Sequence, residues 1–117
     1  MHYRIAVARV RIAVALVAAV VSLFAGPGFI AGAAPATHTV VIEGTRFEPT
    51  TLTIKAGDTV VWINKDPFPH TATAQTGGFD SQSIAPDQSW KYTPGKTGVF
   101  PYGCTLHPTM KGTLRVE

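Results

Sequence analysis

The sequence contains a single cysteine, Cys104, among its 117 residues. A lone cysteine excludes an internal disulfide, which small exported domains often use to supplement a small hydrophobic core. It also excludes a lipoprotein, because lipid attachment needs a cysteine at the processing site. A free thiol in an oxidising compartment is a hazard unless it is buried or bound to a metal. The lone thiol therefore indicates a candidate functional site at the residues around Cys104.

Acidic residues are absent before Glu43, although the whole chain has a net charge of +3. The excess comes from Arg4, Arg9 and Arg11, because residues 37–117 hold seven Lys and Arg against seven Asp and Glu. A nucleic-acid-binding domain needs a basic patch on its folded part. The composition provides none, so we expect no nucleic-acid partner.

Residues 1–36 have the order of a secretory leader. Three arginines are followed by an uncharged stretch rich in Ala and Val, and then by small residues. Cleavage sites of the small-x-small type occur at residues 31–33 and 34–36, which predicts a cut near residue 33 or 36. The alternative is an uncleaved anchor through residues 12–34, which is long enough to span a bilayer. Either way we expect an exported domain, periplasmic or extracellular, that touches a membrane only if the leader remains.

The remaining residues, 37–117, predict one all-β domain. Apolar and polar residues alternate at residues 51–55, 89–92 and 113–116, which is typical of strands with one buried face. Residues 60–63 are apolar on both faces, so we expect a central strand there. Turn signals at residues 56–58, 77–78 and 94–95 separate these segments. The pattern predicts a β-sandwich of about seven strands.

The candidate chemistry lies on one short segment near the C-terminus. Cys104, His107 and Met110 follow one another at intervals of three residues, and Pro108 between them disfavours a helix. A fourth candidate, His70, comes after the predicted central strand. Two imidazoles and one thiolate with a long axial thioether make a blue-copper electron-transfer site, whereas structural zinc sites do not use methionine. His38 lies next to the leader and is not expected to take part.

The domain resembles the cupredoxins, the small type 1 copper proteins of the plastocyanin–azurin family, and within them the amicyanin-like branch. The resemblance covers about residues 40–117, and its matching segments are residues 47–49, 52–64, 70–71, 78–81 and 104–112. The short Cys-x-x-His-x-x-Met spacing is similar to that of amicyanin-like proteins. The resemblance implies a Greek-key β-sandwich with one type 1 copper ion held by His70, Cys104, His107 and Met110. Leu106, Gly103 and Pro101 depart from the usual pattern but remove none of these ligands.

The predicted function is single-electron transfer by an exported monomer. His107 is the expected point of electron exit, surrounded by an apolar collar of Phe68, Pro69, Leu106 and Pro108. Asn64 and Thr71 are the expected braces of the ligand loops. The resemblance implies a transient redox partner: a c-type cytochrome, an oxidase or a dehydrogenase.

The sequence has two alternatives to electron transfer. A periplasmic protein that binds or delivers copper without a redox partner is the main alternative. An enzyme with several copper centres would need many more histidines than the three in residues 37–117, so we expect no enzymatic activity.

Overall fold

The computed structural model describes residues 34–117, and these residues contain eight strands, numbered β1 to β8 in chain order. The strands are β1 (Thr37–Ile42), β2 (Phe47–Glu48), β3 (Thr51–Ile54), β4 (Thr59–Asn64), β5 (Thr73–Ala74), β6 (Ser89–Tyr92), β7 (Gly98–Cys104) and β8 (His107–Val116).

The strands form two four-stranded sheets, with the orders β2-β1-β4-β6 and β3-β8-β7-β5. Strand β1 pairs with β4 in parallel, as β3 does with β8, and the other neighbours are antiparallel. No α-helix occurs within residues 34–117. The predicted all-β sandwich is confirmed. The eight strands observed include β2 and β5, which have two residues each and cannot show an alternating pattern.

The predicted central strand is β4, which lies between β1 and β6. Val60, Trp62 and Asn64 are buried on one face of β4, and the residues between them are half-buried. Valine, isoleucine and tryptophan suit such a position, because branched and aromatic side chains pack well on a pleated surface. Strand β4 ends at Asn64, where the segment leading to His70 begins.

An aromatic cluster fills the space between the sheets. The Trp62 ring lies 5.6 Å from the rings of Phe79 and Tyr102, and 5.5 Å from that of Trp90. Tyr102 also packs edge-on against Phe47, with ring centroids 4.6 Å apart. Burial raises the pKa of Tyr102 to about 12. Because Tyr102 precedes Cys104 by two residues, this rigid core supports the strand that ends at the candidate site.

The predicted leader lies outside the described residues except for residues 34–36. Of these, Ala36 donates its N–H to Asp58 Oδ1 at 2.9 Å, and its carbonyl accepts the N–H of Thr59 at 2.9 Å. Within residues 34–117, no helix has the length and apolar character needed to cross a membrane.

Candidate metal centre

Cys104 and His107 lie on a tight hairpin between the last two strands. Cys104 ends β7, His107 begins β8, and the two residues pair across the ladder. Only Thr105 and Leu106 separate them, so the hairpin holds both side chains at the same end of the sandwich. Cys104 is buried and His107 is half-buried. Cys104 and His107 thus lie at the two ends of one two-residue turn, and Met110 lies further along β8.

His70 reaches the same place from the segment between β4 and β5. Its backbone pairs with Ile84 through two hydrogen bonds of 3.2 and 2.7 Å. The His70 side chain is fully buried, and its ring centroid lies 4.7 Å from that of His107. Two residues that are far apart in sequence thus present their imidazoles side by side.

The three donor atoms form a compact triangle. Cys104 Sγ lies 3.6 Å from Nδ1 of His70 and 3.6 Å from Nδ1 of His107. One ligand atom from each of these residues lies within 4.8 Å of the other two. Metal–nitrogen and metal–sulfur bonds of about 2.0 and 2.3 Å at a trigonal angle would separate the donors by roughly 3.8 Å. The spacing of this triangle therefore fits a metal ion that these three donors would hold together.

Met110 lies three residues beyond His107 on β8. Its side chain is buried, as are Gly112, Leu114 and Val116 on the same face of the strand. A thioether together with two imidazoles and a thiol is the donor set of a blue-copper site. The axial role of Met110 stays a prediction, as do the individual ligand roles of the other three residues.

Thr71 connects the His70 segment to the cysteine. Its backbone N–H donates to Cys104 Sγ at 3.2 Å, and its hydroxyl oxygen accepts the N–H of Thr105 at 2.9 Å. A hydrogen bond to the sulfur withdraws negative charge from a thiolate, which is one of the ways a protein tunes a metal site. The predicted bracing role of Thr71 is confirmed by these contacts.

Asn64 organises the segment between β4 and His70. Its side-chain amide donates to the carbonyls of Phe68 and Ile84, both at 2.9 Å, and its Oδ1 accepts the N–H of Asp66 at 3.0 Å. The residue is fully buried, so these hydrogen bonds satisfy polar groups that water cannot reach. Asn64 is a brace of this segment, as predicted.

Asp66 contacts the candidate ligand His70. It is not among the residues predicted from the sequence. Its Oδ2 lies 2.7 Å from Nε2 of His70, and its carboxylate also accepts the N–H groups of Gly44 and Thr45. Burial alone would raise the pKa of Asp66, but the hydrogen bonds from Thr45, His70 and Gly44 outweigh it and hold the pKa below its usual range. One signal was present: Asp66 is the only acidic residue between β4 and His70.

A family model described as a cupredoxin-like domain matches residues 12–116. The chain belongs to the cupredoxin-like family. Amicyanin of Paracoccus versutus is 36% identical over 89 residues, which cover 71% of this chain and 67% of the relative. Amicyanin-alpha of Methylorubrum extorquens is 33% identical over 117 residues, which cover 90% of this chain and 98% of the relative.

Solved structures agree with this membership. An amicyanin variant in its Cu(I) form superposes with a TM-score of 0.65 at 30% identity, covering 69% of this chain and 82% of the neighbour. A copper-containing nitrite reductase from Thermus scotoductus also matches, with a TM-score of 0.65 at 31% identity. That match covers 72% of this chain but only 22% of the reductase. The predicted cofactor, one type 1 copper ion, is thereby confirmed for this cupredoxin, with His70, Cys104, His107 and Met110 as its candidate site.

The surface around His107 is largely apolar. Leu106 is 55% exposed and Phe68 is 39% exposed, and the Phe68 ring lies 5.4 Å from that of His107. Pro69 and Pro108 are exposed as well. The residues predicted to form an apolar collar are therefore at the surface of the cupredoxin, with Phe68 in contact with both imidazoles.

His38 lies apart from this centre, as predicted. It is on β1, and its Nε2 is 3.0 Å from Oδ2 of Asp58. Asp58 comes just before β4, whereas the candidate site lies beyond the other end of that strand. The pair joins β1 to the turn between β3 and β4.

Proposed function

We propose that this cupredoxin is an exported one-electron carrier whose copper ion is held by His70, Cys104, His107 and Met110. The observation that carries the proposal is the triangle of one thiol and two imidazole nitrogens, with 3.6 Å between the sulfur and each nitrogen. When bound, copper supplies a couple between Cu(II) and Cu(I) that takes up and releases a single electron.

The protein's part is to keep the donor atoms in place during the change of charge. His70 is fixed by a pair of backbone hydrogen bonds with Ile84, and Cys104 and His107 by their hairpin. Thr71 joins the two parts through its bonds to Cys104 and Thr105. A site whose donors are held by the fold needs little rearrangement when an electron arrives, and small rearrangement favours rapid transfer.

His107 is the proposed exit for the electron. It is the half-buried member of the triangle, whereas His70 and Cys104 are buried. Leu106 and Phe68 beside it are exposed apolar side chains that suit a small, transient interface. We propose a redox protein as partner, such as a c-type cytochrome, an oxidase or a dehydrogenase, and a monomer that catalyses no reaction by itself.

Copper loading of the purified full chain tests this function. We expect an intense blue band and a narrow copper hyperfine splitting in the electron paramagnetic resonance spectrum after Cu(II) is added. Cys104→Ser should abolish the blue band, because a hydroxyl replaces the thiolate donor, and Val99→Ser on the exposed part of β7 is the matched control that should keep it.

The same preparation separates the carrier from its main alternative. A blue protein that takes up and returns one electron reversibly, with slow loss of copper to a chelator, supports the carrier. A colourless complex that loses copper rapidly would instead indicate a copper-binding or delivery protein without a redox partner.

A further inference from the structure

We propose that Asp66 is a positioning residue that orients His70 for copper and lowers the reduction potential of the bound ion. This inference rests on the proposed function. It goes beyond it by assigning a role to a side chain that does not itself belong to the candidate ligand set.

The first step is the hydrogen bond between Asp66 and His70. A carboxylate can only accept, so the imidazole proton must lie on Nε2, which is 2.7 Å from Asp66 Oδ2. The lone pair is then left on Nδ1, the nitrogen that lies 3.6 Å from Cys104 Sγ. The second nitrogen of a metal-binding histidine commonly donates to such a partner, which fixes the tautomer and the ring orientation.

The second step is the backbone that surrounds the carboxylate. Gly44 and Thr45 have φ angles of 62° and 59°, and their N–H groups donate to Asp66 at 2.7 and 2.9 Å. Such a φ is uncommon for a residue other than glycine, and successive N–H groups in turns form anion-binding concavities. The turn between β1 and β2 is therefore shaped around a negative charge, which keeps Asp66 anionic beside His70.

The third step is the effect of that charge on a metal ion. The Asp66 side chain is only 7% exposed and that of His70 is fully buried, so water screens their interaction weakly. A fixed negative charge stabilises the oxidised ion, which carries one more positive charge, more than it stabilises the reduced ion. Asp66 therefore lowers the reduction potential, in opposition to the N–H that Thr71 donates to the sulfur.

The chain contains a matched control for this pair. Asp58 accepts from His38 and from the N–H groups of Ala36 and Lys55, so it has the same kinds of donors as Asp66. It lies just before β4, whereas Asp66 follows that strand. The six residues of β4 place the two carboxylates roughly 20 Å apart.

The experiment compares the reduction potentials of the copper-loaded wild type, Asp66→Asn and Asp58→Asn, followed by the intensity of the blue band. Asp66→Asn keeps the shape but removes the charge and replaces one accepting oxygen with an NH2 group, and Asp58→Asn makes the same two changes at its own site. We expect the ratio of reduced to oxidised protein at a given ambient potential to rise about tenfold, which is about 59 mV for one electron. Asp58→Asn should leave the potential unchanged. An unchanged or lower potential in Asp66→Asn, or an equal rise in both variants, would overturn the proposal.

A second measurement covers the case in which Asp66→Asn does not fold. Nitrogen-15 NMR of the wild-type protein without added metal reports which nitrogen of each imidazole carries the proton. We expect His70 to carry a slowly exchanging proton on Nε2, and a His70 proton on Nδ1 would overturn the inference. A wild type that gives no blue band would overturn the proposed function alone, because the tautomer of His70 is read without copper.

Discussion

At the scale of single residues, the contact between Gly112 and Tyr102 supports the end of the sandwich that carries the candidate site. A Cβ at Gly112 would lie 2.5 Å from Cζ of Tyr102 and 2.6 Å from its hydroxyl oxygen. The Tyr102 ring is buried and packs against Phe47 and Trp62, so it could not move away without disturbing these contacts. The absence of a side chain at Gly112 is what allows this ring to lie so close to β8.

Gly112→Ala should therefore destabilise the protein by about 1–3 kcal/mol, the usual cost of overpacking a core. Gly95 is the matched control, because an added Cβ there meets no atom within 4 Å. Gly95→Ala should change the free energy of unfolding by less than about 0.5 kcal/mol. Urea unfolding of both variants checks the prediction, and equal midpoints would contradict the packing argument.

At the scale of structural elements, carboxylates hold two turns that lie at opposite ends of β4. Asp66 binds the turn between β1 and β2, and Asp58 binds the segment before β1 and the turn between β3 and β4. Hydrogen bonds from Ala36, His38 and Lys55 lower the pKa of Asp58 to about 2. Asp58 thus anchors the start of β1. In the folded state its carboxyl stays ionised at pH values well below the ordinary pKa of an aspartate.

This lowered pKa predicts a dependence of stability on pH. A carboxyl whose pKa is lower in the folded than in the unfolded state stabilises the fold above its unfolded pKa, and loses that effect as the pH falls through the folded value. The stabilisation from Asp58 should be complete above about pH 5 and decline between about pH 4 and 2.

The measurement is the free energy of unfolding of the wild type and of Asp58→Asn across this range of pH. The two proteins should differ by a constant amount above about pH 5 and converge as the pH approaches 2. A difference that stays constant down to pH 2 would show that these hydrogen bonds do not favour the ionised carboxyl. Asp80→Asn is a suitable control, because Asp80 is an exposed residue outside this turn.

At the scale of the whole molecule, exposed apolar side chains occur at both ends of the sheet formed by β3, β8, β7 and β5. Leu106 lies beside His107 and is 55% exposed, while Val99 is 57% exposed near the start of β7. The five residue steps from Val99 to Cys104 correspond to roughly 17 Å along the strand. The two positions therefore offer similar side chains at very different distances from the proposed exit of the electron.

Electron self-exchange between two copies of the copper-loaded protein tests which end is used. Leu106→Lys should slow the exchange about tenfold at low ionic strength, because two like charges then meet at the interface, and added salt should restore part of the rate. Val99→Lys adds the same charge at the far end and should change the rate little. Equal slowing in both variants would show that net charge matters rather than docking at His107.

The sequence by itself determined the fold class and the cofactor, and it predicted the ligand types. Alternation of side chains along β3, β6 and β8 depends only on the two-residue period of a strand, which is a local property. The spacing of Cys104, His107 and Met110 is also local, and these residue types at that spacing mark them as candidate ligands. Because both patterns are local, these predictions could be made from the sequence.

The tertiary structure alone decided which distant groups meet these residues. Only the crossing of the chain from β4 to β5 brings His70 to within 3.6 Å of Cys104 Sγ. The parallel pairing of β1 with β4 brings Asp66 against Gly44 and Thr45. Strands β2 and β5 are likewise defined by their partners, since two residues carry no pattern of their own. Contacts of this kind depend on how separate segments pack, and packing is a property of the whole fold that no short stretch of sequence contains.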